Sequence, residues 1–277
     1  MSFIIAKIID GKFDIRSDSR ITDPKIIQTN PLSGILKTII IDPKTCISFA
    51  GIVDEANMAI EYLLQNQFTS INEIVSYLLS VNINSNDKTD FIVKSLHKED
   101  PCMFKISGGN IEENMQSAWI GDYLAFSLFQ SQMNSQNENL DLRQKIENSF
   151  KHVLQDESIE SVGDYHIHVV SRNDVFEYNI RIDLDLGPQT IKIEKANEWT
   201  TIPLGTAMNG SFGMSYLVSN IESKYAIGVY YTHGNFGVLL YPKFSMKPII
   251  IKGGNCKMFV EFIQKEFEIK LEGMIMN

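Results

Sequence analysis

The sequence predicts an α+β protein: two antiparallel sheets stacked face to face with helix pairs outside them, then a strand-rich extension and a closing helix. Three observations predict it. Short β-rich runs occur as hairpins. Those hairpins are separated by helical patterns that come in pairs. From about Asp183 onward, Gly, Thr and Asn become frequent and short strands recur.

The first hairpin follows Met1 directly. Phe3–Ile9 and Phe13–Ile15 flank Asp10-Gly11, a strong hairpin signal because both turn residues take positive φ. That turn sets Ile9 against Lys12 and Ile8 against Phe13, and carried back it sets Phe3 opposite Asp18 and Ser2 opposite Ser19. A strict pleat turns Asp18 to the face of Phe3, so its contact with Ser2 needs twist or a bend at the strand end. A polar loop, Asp23 to Ser33, follows. Lys37–Ile41 and Thr45–Ala50 form a second hairpin across Asp42-Pro43-Lys44, closed by Gly51. Two helices are predicted next. Asp54–Leu64 has Ala56, Ile60, Leu63 and Leu64 at helical spacing, and Ser70–Leu79 has Ile71, Ile74, Val75 and Leu78. "TDFIVKSL" and "CMFKIS" read as strands. "AWIGDYLAFSLFQSQM" reads as a strand end, a glycine turn and a helix packing Leu124 and Leu128. Leu140–Gln155 is a further helix, and "YHIHVVSR" and "VFEYNIRI" pair around Asn173-Asp174. Beyond Asp183, "GMSYLVS", "YAIGVYYT", "FGVLLYP" and "KPIIIK" are strands, and Cys256–Phe267 is an amphipathic helix.

The 277 residues suffice for one large domain or two small ones, and 44% hydrophobic with 21% charged residues is an ordinary composition for a globular core. A net charge of −9 argues against nucleic acid or an anionic membrane as the main partner. No apolar run approaches bilayer length and no signal peptide is evident, which excludes a membrane span and predicts a cytoplasmic protein. Cys46, Cys102 and Cys256 are far apart and odd in number, which fits a reducing compartment and gives no zinc spacing. No cofactor is expected: the two Gly-Gly-Asn stretches at Gly108 and Gly253 lack the lysine and serine of a phosphate loop. No metal is expected either, since His166 and His168 share a strand face but have no evident third ligand. Tyr230, Tyr231 and Tyr241 with His233 form an aromatic patch that reads as core or as an interface.

The order "IIDGKFDI", "SDSRIT", "ILKTIII", "SFAGIVDEA" resembles that of the N-terminal nucleophile (Ntn) hydrolases, specifically proteasome β-subunits and their small bacterial relatives. Ser2 stands at the family's first mature residue, usually Thr, with Asp18 at its aspartate, Lys37 at its lysine and Gly51 at its oxyanion position. The Ser2–Asp18 and Lys37–Gly51 spacings agree without gaps. "ESVGDYHIHVV" offers Ser161 as the family's late serine and Asp156 as its partner aspartate, at a different spacing. Asp122 falls near an expected serine. The resemblance covers Ser2 to Ile182. It implies a four-layer αββα sandwich over residues 1–182, with 183–277 as a β-rich extension packed on it.

The resemblance also implies acyl transfer by a terminal residue. The Ser2 hydroxyl attacks a peptide carbonyl, its free α-amine takes the proton, Lys37 held by Asp18 tunes that amine, and Gly51 N–H holds the oxyanion. The resemblance thus implies a cytoplasmic N-terminal serine peptidase in a homo-oligomer, with peptide or protein substrates and with an unfoldase or other partner protein left open. Taken singly, the residues have plainer readings: Ser2 as a small residue that permits methionine removal, Asp18 as a turn or cap, Lys37 as an edge lysine, Gly51 as a loop glycine. The alternative keeps the fold without the chemistry, as a non-catalytic scaffold or binding protein.

Overall fold

A computed structural model describes residues 2–21, 34–97, 100–156, 158–163, 166–180, 189–195, 198–205, 214–232 and 234–274. Met1, the Asp23–Ser33 loop and His233 lie outside these residues. The chain is α+β and its sheets are antiparallel. Strands β1 (Phe3–Ile9), β2 (Lys12–Ser17), β3 (Thr38–Asp42) and β4 (Thr45–Gly51) precede helices α1 (Val53–Gln65) and α2 (Ile71–Asn84). Strands β5 (Thr89–Ser95), β6 (Cys102–Ser107), β7 (Asn110–Glu112) and β8 (Ser117–Gly121) precede α3 (Tyr123–Ser135) and α4 (Leu142–Gln155). A hairpin of β9 (Ile167–Arg172) and β10 (Val175–Tyr178) follows. Then come β11 (Gln189–Lys195), β12 (Glu198–Gly205), β13 (Met214–Ser219), β14 (Ala226–Tyr231), β15 (Phe236–Tyr241), β16 (Ser245–Lys252), α5 (Cys256–Phe267) and β17 (Glu272–Met274).

The first sheet has the order β10-β9-β2-β1-β8, the second β3-β4-β5-β6-β7 and the third β16-β15-β14-β13-β17, while β11 and β12 pair alone. The Asp10-Gly11 turn has φ of 52° and 70°, and it sets the expected register of Ile9 with Lys12 and Ile8 with Phe13. Asn173-Asp174, with φ of 49° and 57°, does the same for β9 and β10. In both turns the positive φ matches the twist of the flanking strands.

Both faces of β1 are covered over its opening apolar run, Phe3 to Ala6. Phe3, Ile5 and Ile9 meet Ala125 and Phe129 of α3 and Ile146, Phe150 and Val153 of α4. Phe3 stacks on Phe150 at 5.3 Å between ring centroids. Ile4 and Ala6 belong instead to the main core, with Ile39, Ile47 and Phe91 of the second sheet and Ala56, Ile60 and Leu78 of α1 and α2. Each such buried Ile, Leu, Val or Phe contributes about 1.5–3 kcal/mol. In α3 the buried stripe is Ala125 and Phe129, while Leu124 is exposed, so the expected Leu124/Leu128 face is one residue out of phase. Asp122 fixes that phase by capping the helix.

The third sheet is apolar on both faces. Leu217, Tyr230 and Leu239 pack on Phe259 and Ile263 of α5. Tyr216, Ile227, Tyr231 and Val238 join the same main core as the first two sheets. Asn220 clamps Tyr178 from this side, accepting from its N–H and donating to its carbonyl, each at 2.8 Å. Alternation along β14 therefore splits the expected aromatic patch, with Tyr230 and Tyr231 on opposite faces and both in cores. Among the described residues no helix is long and apolar enough to cross a membrane.

Lys94 lies fully buried beside its cross-strand neighbour Cys46, with its ammonium 2.5 Å from Ser48 Oγ, which also bonds Thr38 Oγ1 at 2.8 Å. Burial pushes its pKa down from 10.5 to about 8, although the Cys46 sulfur opposes the shift. A base depressed in the folded state costs stability wherever the unfolded chain holds the proton more tightly. The penalty, about 3 kcal/mol, is complete below pH 8 and vanishes as pH rises toward 10.5. Lys94→Met is therefore expected to stabilise the protein by about 1–3 kcal/mol at pH 7. Urea unfolding of both proteins should show the advantage shrinking above pH 8; a constant difference would contradict this account.

Candidate active site

The site is built where β1 starts. Its two antiparallel neighbours both end there, β2 at Ser17 and β8 at Gly121. Past β2, Asp18 N–H donates to Phe3 O at 3.3 Å. The Asp18 carboxylate then turns back onto the strand. Oδ1 accepts from Phe3 N at 2.8 Å, and Oδ2 accepts from Arg20 N at 3.1 Å and from Lys37 Nζ at 2.7 Å. The bend that the pleat required is thus a side chain folded onto the leading peptide of β1, next to the buried Ser2.

Lys37 is 1% exposed and Asp18 is 0% exposed, so this ion pair is shut off from water. Lys37 precedes β3, and its carbonyl accepts from Phe49 N at 3.0 Å. That bond brings β4 alongside, with Gly51 at its end. Gly51 has φ +118°, and a Cβ there would lie 1.9 Å from Lys88 O. Glycine is required for this corner because no other side chain fits it.

Gly121 makes the matching corner on the other side. Its φ is +107°, and a Cβ would lie 1.9 Å from Ser2 O. Asp122 N–H donates to Ser2 O at 2.6 Å. The Asp122 carboxylate serves two purposes. Oδ1 accepts from Leu124 N at 2.8 Å and Ala125 N at 3.2 Å, capping α3, and Oδ2 accepts from Ser161 Oγ at 2.5 Å. Burial opposes its charge, but the hydrogen bonds from Ser161, Ala125 and Leu124 prevail and hold the carboxyl below its usual pKa. The loop that carries Ser161 spans both sides, since Gly163 O accepts from Ser19 N and Glu160 O from Arg20 Nη1, each at 3.3 Å.

Asp18 and Lys37 are thus paired at the Phe3 amide, next to Ser2 along the chain; Ser161 meets Asp122, whose N–H holds Ser2 O; and Gly51 lies two residues beyond Phe49, which bonds Lys37 O. Asp156 is not part of the site. It ends α4, and its exposed Oδ1 accepts from Ser158 N at 2.9 Å and Ser158 Oγ at 2.5 Å. The partner carboxylate of Ser161 is Asp122, which the sequence marks only as an acid after a glycine at a helix start, an N-cap signal.

The chain matches no protein-family model and no curated protein. The site's chemistry therefore rests on its own geometry. Elsewhere, His166 and His168 join a buried ionic cluster rather than a ligand set. His168 Nε2 lies 3.2 Å from Asp14 Oδ2, and His166 Nε2 lies 3.4 Å from Arg16 Nη1. Arg16 Nε donates to Asp14 Oδ1 at 2.8 Å, and Arg16 reaches Glu147 of α4 at 3.6 Å.

Proposed function

We propose that the protein is an N-terminal serine hydrolase of the Ntn type, acting on peptide or related acyl-amide bonds once Ser2 is the first residue. The observation that carries this reading is the sealed Asp18–Lys37 pair hydrogen-bonded to the Ser2–Phe3 peptide. Buried ion pairs add little net stability, so one at this position is better accounted for by chemistry. Helices α3 and α4 on the first sheet, and α1 and α2 on the second, support a four-layer αββα reading of the fold.

In the proposed reaction Ser2 Oγ attacks the carbonyl carbon while its proton passes to the α-amine, a usable base with pKa about 7.7–8.0. The Lys37 ammonium lowers that pKa by like-charge proximity. Gly51 N–H stabilises the oxyanion. Collapse breaks the C–N bond, the α-ammonium returns its proton to the leaving amine, and water then hydrolyses the Ser2 ester. An amide nitrogen cannot act as this base, so removal of Met1 is a condition of activity.

The test uses the chain starting at Ser2 against a panel of peptides and acyl-amides. Ser2→Thr should retain hydrolysis, and Ser2→Ala should lose about 10³-fold or more without unfolding. Equal rates for Ser2→Ala and the parent would end this reading. If neither protein hydrolyses anything, the non-catalytic scaffold takes its place. We further propose a cytoplasmic homo-oligomer, which light scattering at micromolar concentration checks and a monomer would refute.

A further inference from the structure

We propose that the cleft between the α1–α2 turn and the β15–β16 turn binds a small organic cation, an alkylammonium carried on an apolar or aromatic body. The cleft has a volume of about 1000 Å³, room for a whole small molecule. It lies at the other end of the second sheet from the candidate active site. Lys37 and Gly51 stand at one end of β3 and β4, whereas Asp42 and Thr45, which line the cleft, stand at the other. The proposal therefore does not rest on the hydrolase reading.

Aromatic rings line the cleft from two elements. Phe68 in the α1–α2 turn is backed by Tyr62 of α1 at 6.0 Å and Tyr77 of α2 at 6.5 Å between ring centroids. Phe244 in the β15–β16 turn packs edge-on against Phe267 at 5.1 Å. Phe244 is 66% exposed, so its ring is left bare for a ligand. Ring faces attract organic cations through their quadrupole.

The charges point the same way. Asp42 Oδ1 accepts from Lys44 N at 2.7 Å and lies 3.9 Å from His97 Nε2, while Oδ2 has no hydrogen bond among the described residues. Glu61, near the end of α1, is exposed and has no cationic partner among the described residues. Residues 63–66 bring the C-terminal end of α1 to the cleft, and its last turn carries no basic side chain. The carbonyls of that end add roughly half a negative charge. Lys243 also lines the cleft, but its ammonium is engaged: Nζ donates to Ser223 O at 2.5 Å and sits 5.7 Å from the centre of the Tyr225 ring. Two carboxylates and a helix C-terminus outweigh Lys243, even with His97 protonated. The start of α2 offers an anion little, because it closes on itself: Ser70 Oγ accepts from Glu73 N, and the Glu73 carboxylate accepts from Thr69 N at 3.0 Å.

The experiment titrates the full chain with phenethylamine, phenethyl alcohol and hydrocinnamate at about pH 8 and low salt, read by ligand-observed NMR. The amine is expected to bind about tenfold more tightly than the alcohol, which has the same body without the charge, and hydrocinnamate should bind most weakly. Asp42→Asn and Glu61→Gln should each weaken the amine about threefold, and together about tenfold, while leaving the alcohol unchanged. Phe244→Leu keeps apolar bulk without a ring face and should weaken the amine more than the alcohol. Glu113→Gln, at an exposed acid outside the cleft, should change nothing. These side chains are exposed or half-exposed, so thermal midpoints should match the parent. Equal binding of amine and alcohol, a preference for hydrocinnamate, or an amine affinity unmoved in the Asp42→Asn/Glu61→Gln double variant overturns the proposal. So does an amine that fails to bind at about 10 mM. An equal loss of amine and alcohol in Phe244→Leu overturns the part given to the ring.

Discussion

Lys37→Met is expected to abolish hydrolysis and to destabilise the fold by about 3–5 kcal/mol, the usual result of orphaning one member of a buried pair. Lys37 Nζ and Asp18 Oδ2 are 2.7 Å apart with almost no exposure, so no water replaces the lost ammonium. Because Lys37 is buried, its loss weakens the fold as well as the chemistry. The two effects can be separated. Asp18→Asn/Lys37→Met removes both charges together and should recover most of the stability, since no orphaned buried charge is left and the Asn oxygen can still accept from a backbone N–H. It should recover none of the activity, because the amine still lacks its neighbouring cation. Urea unfolding and peptide hydrolysis on the single and double variants decide the matter. A Lys37→Met protein that hydrolyses at the parental rate would remove lysine from the mechanism.

Asp14→Ala should be comparably damaging, about 3–5 kcal/mol, though it is remote from Ser2 in function. Asp14 is the shared acceptor of Arg16 at 2.8 Å and His168 at 3.2 Å beneath α4, and its loss leaves a buried guanidinium with Glu147 at 3.6 Å and the His166 ring at 3.4 Å. Burial works against the Asp14 charge, but His168 and Arg16 together hold its carboxyl far below the ordinary 3.8. An acid depressed in the folded state stabilises the protein fully above its unfolded pKa. That contribution is lost as pH falls from about 4 toward the folded value. Parent stability should therefore drop with acidification below about pH 4. Asp14→Asn should be weaker at pH 6 and flatter across the acid range. Unfolding curves that stay parallel from pH 6 to about pH 3 would contradict this assignment.

The placement of Asp18 beside the start of β1 was legible because local chemistry fixes it, whereas its pairing with Lys37, 19 residues further along, was implied only by the resemblance. A two-residue turn sets the register of β1 and β2, and that register alone delivers Asp18 to Phe3. The Ser161–Asp122 contact was not legible. Ser161 and Asp122 are 39 residues apart in sequence and meet only when α3 and α4 fold onto β1. Asp156 attracted attention by its nearness to Ser161 along the chain, yet its carboxylate is consumed by the turn it makes with Ser158. The short strands β7 and β17 were missed because pairing with β6 and β13, not local pattern, defines them.

The third sheet also constrains how the chain is made. Residues Glu272–Met274 pair with β13, and the far face of that sheet completes the core that Ile4, Phe49 and Tyr178 line. A ribosome delivers the first two sheets and their helices before it, with that apolar face still bare, and the sheet that covers it closes only after β17 has left the exit tunnel. Until then the nascent chain is a ligand for chaperones rather than a finished protein. A chain ending near Ile182 would stay in that condition permanently.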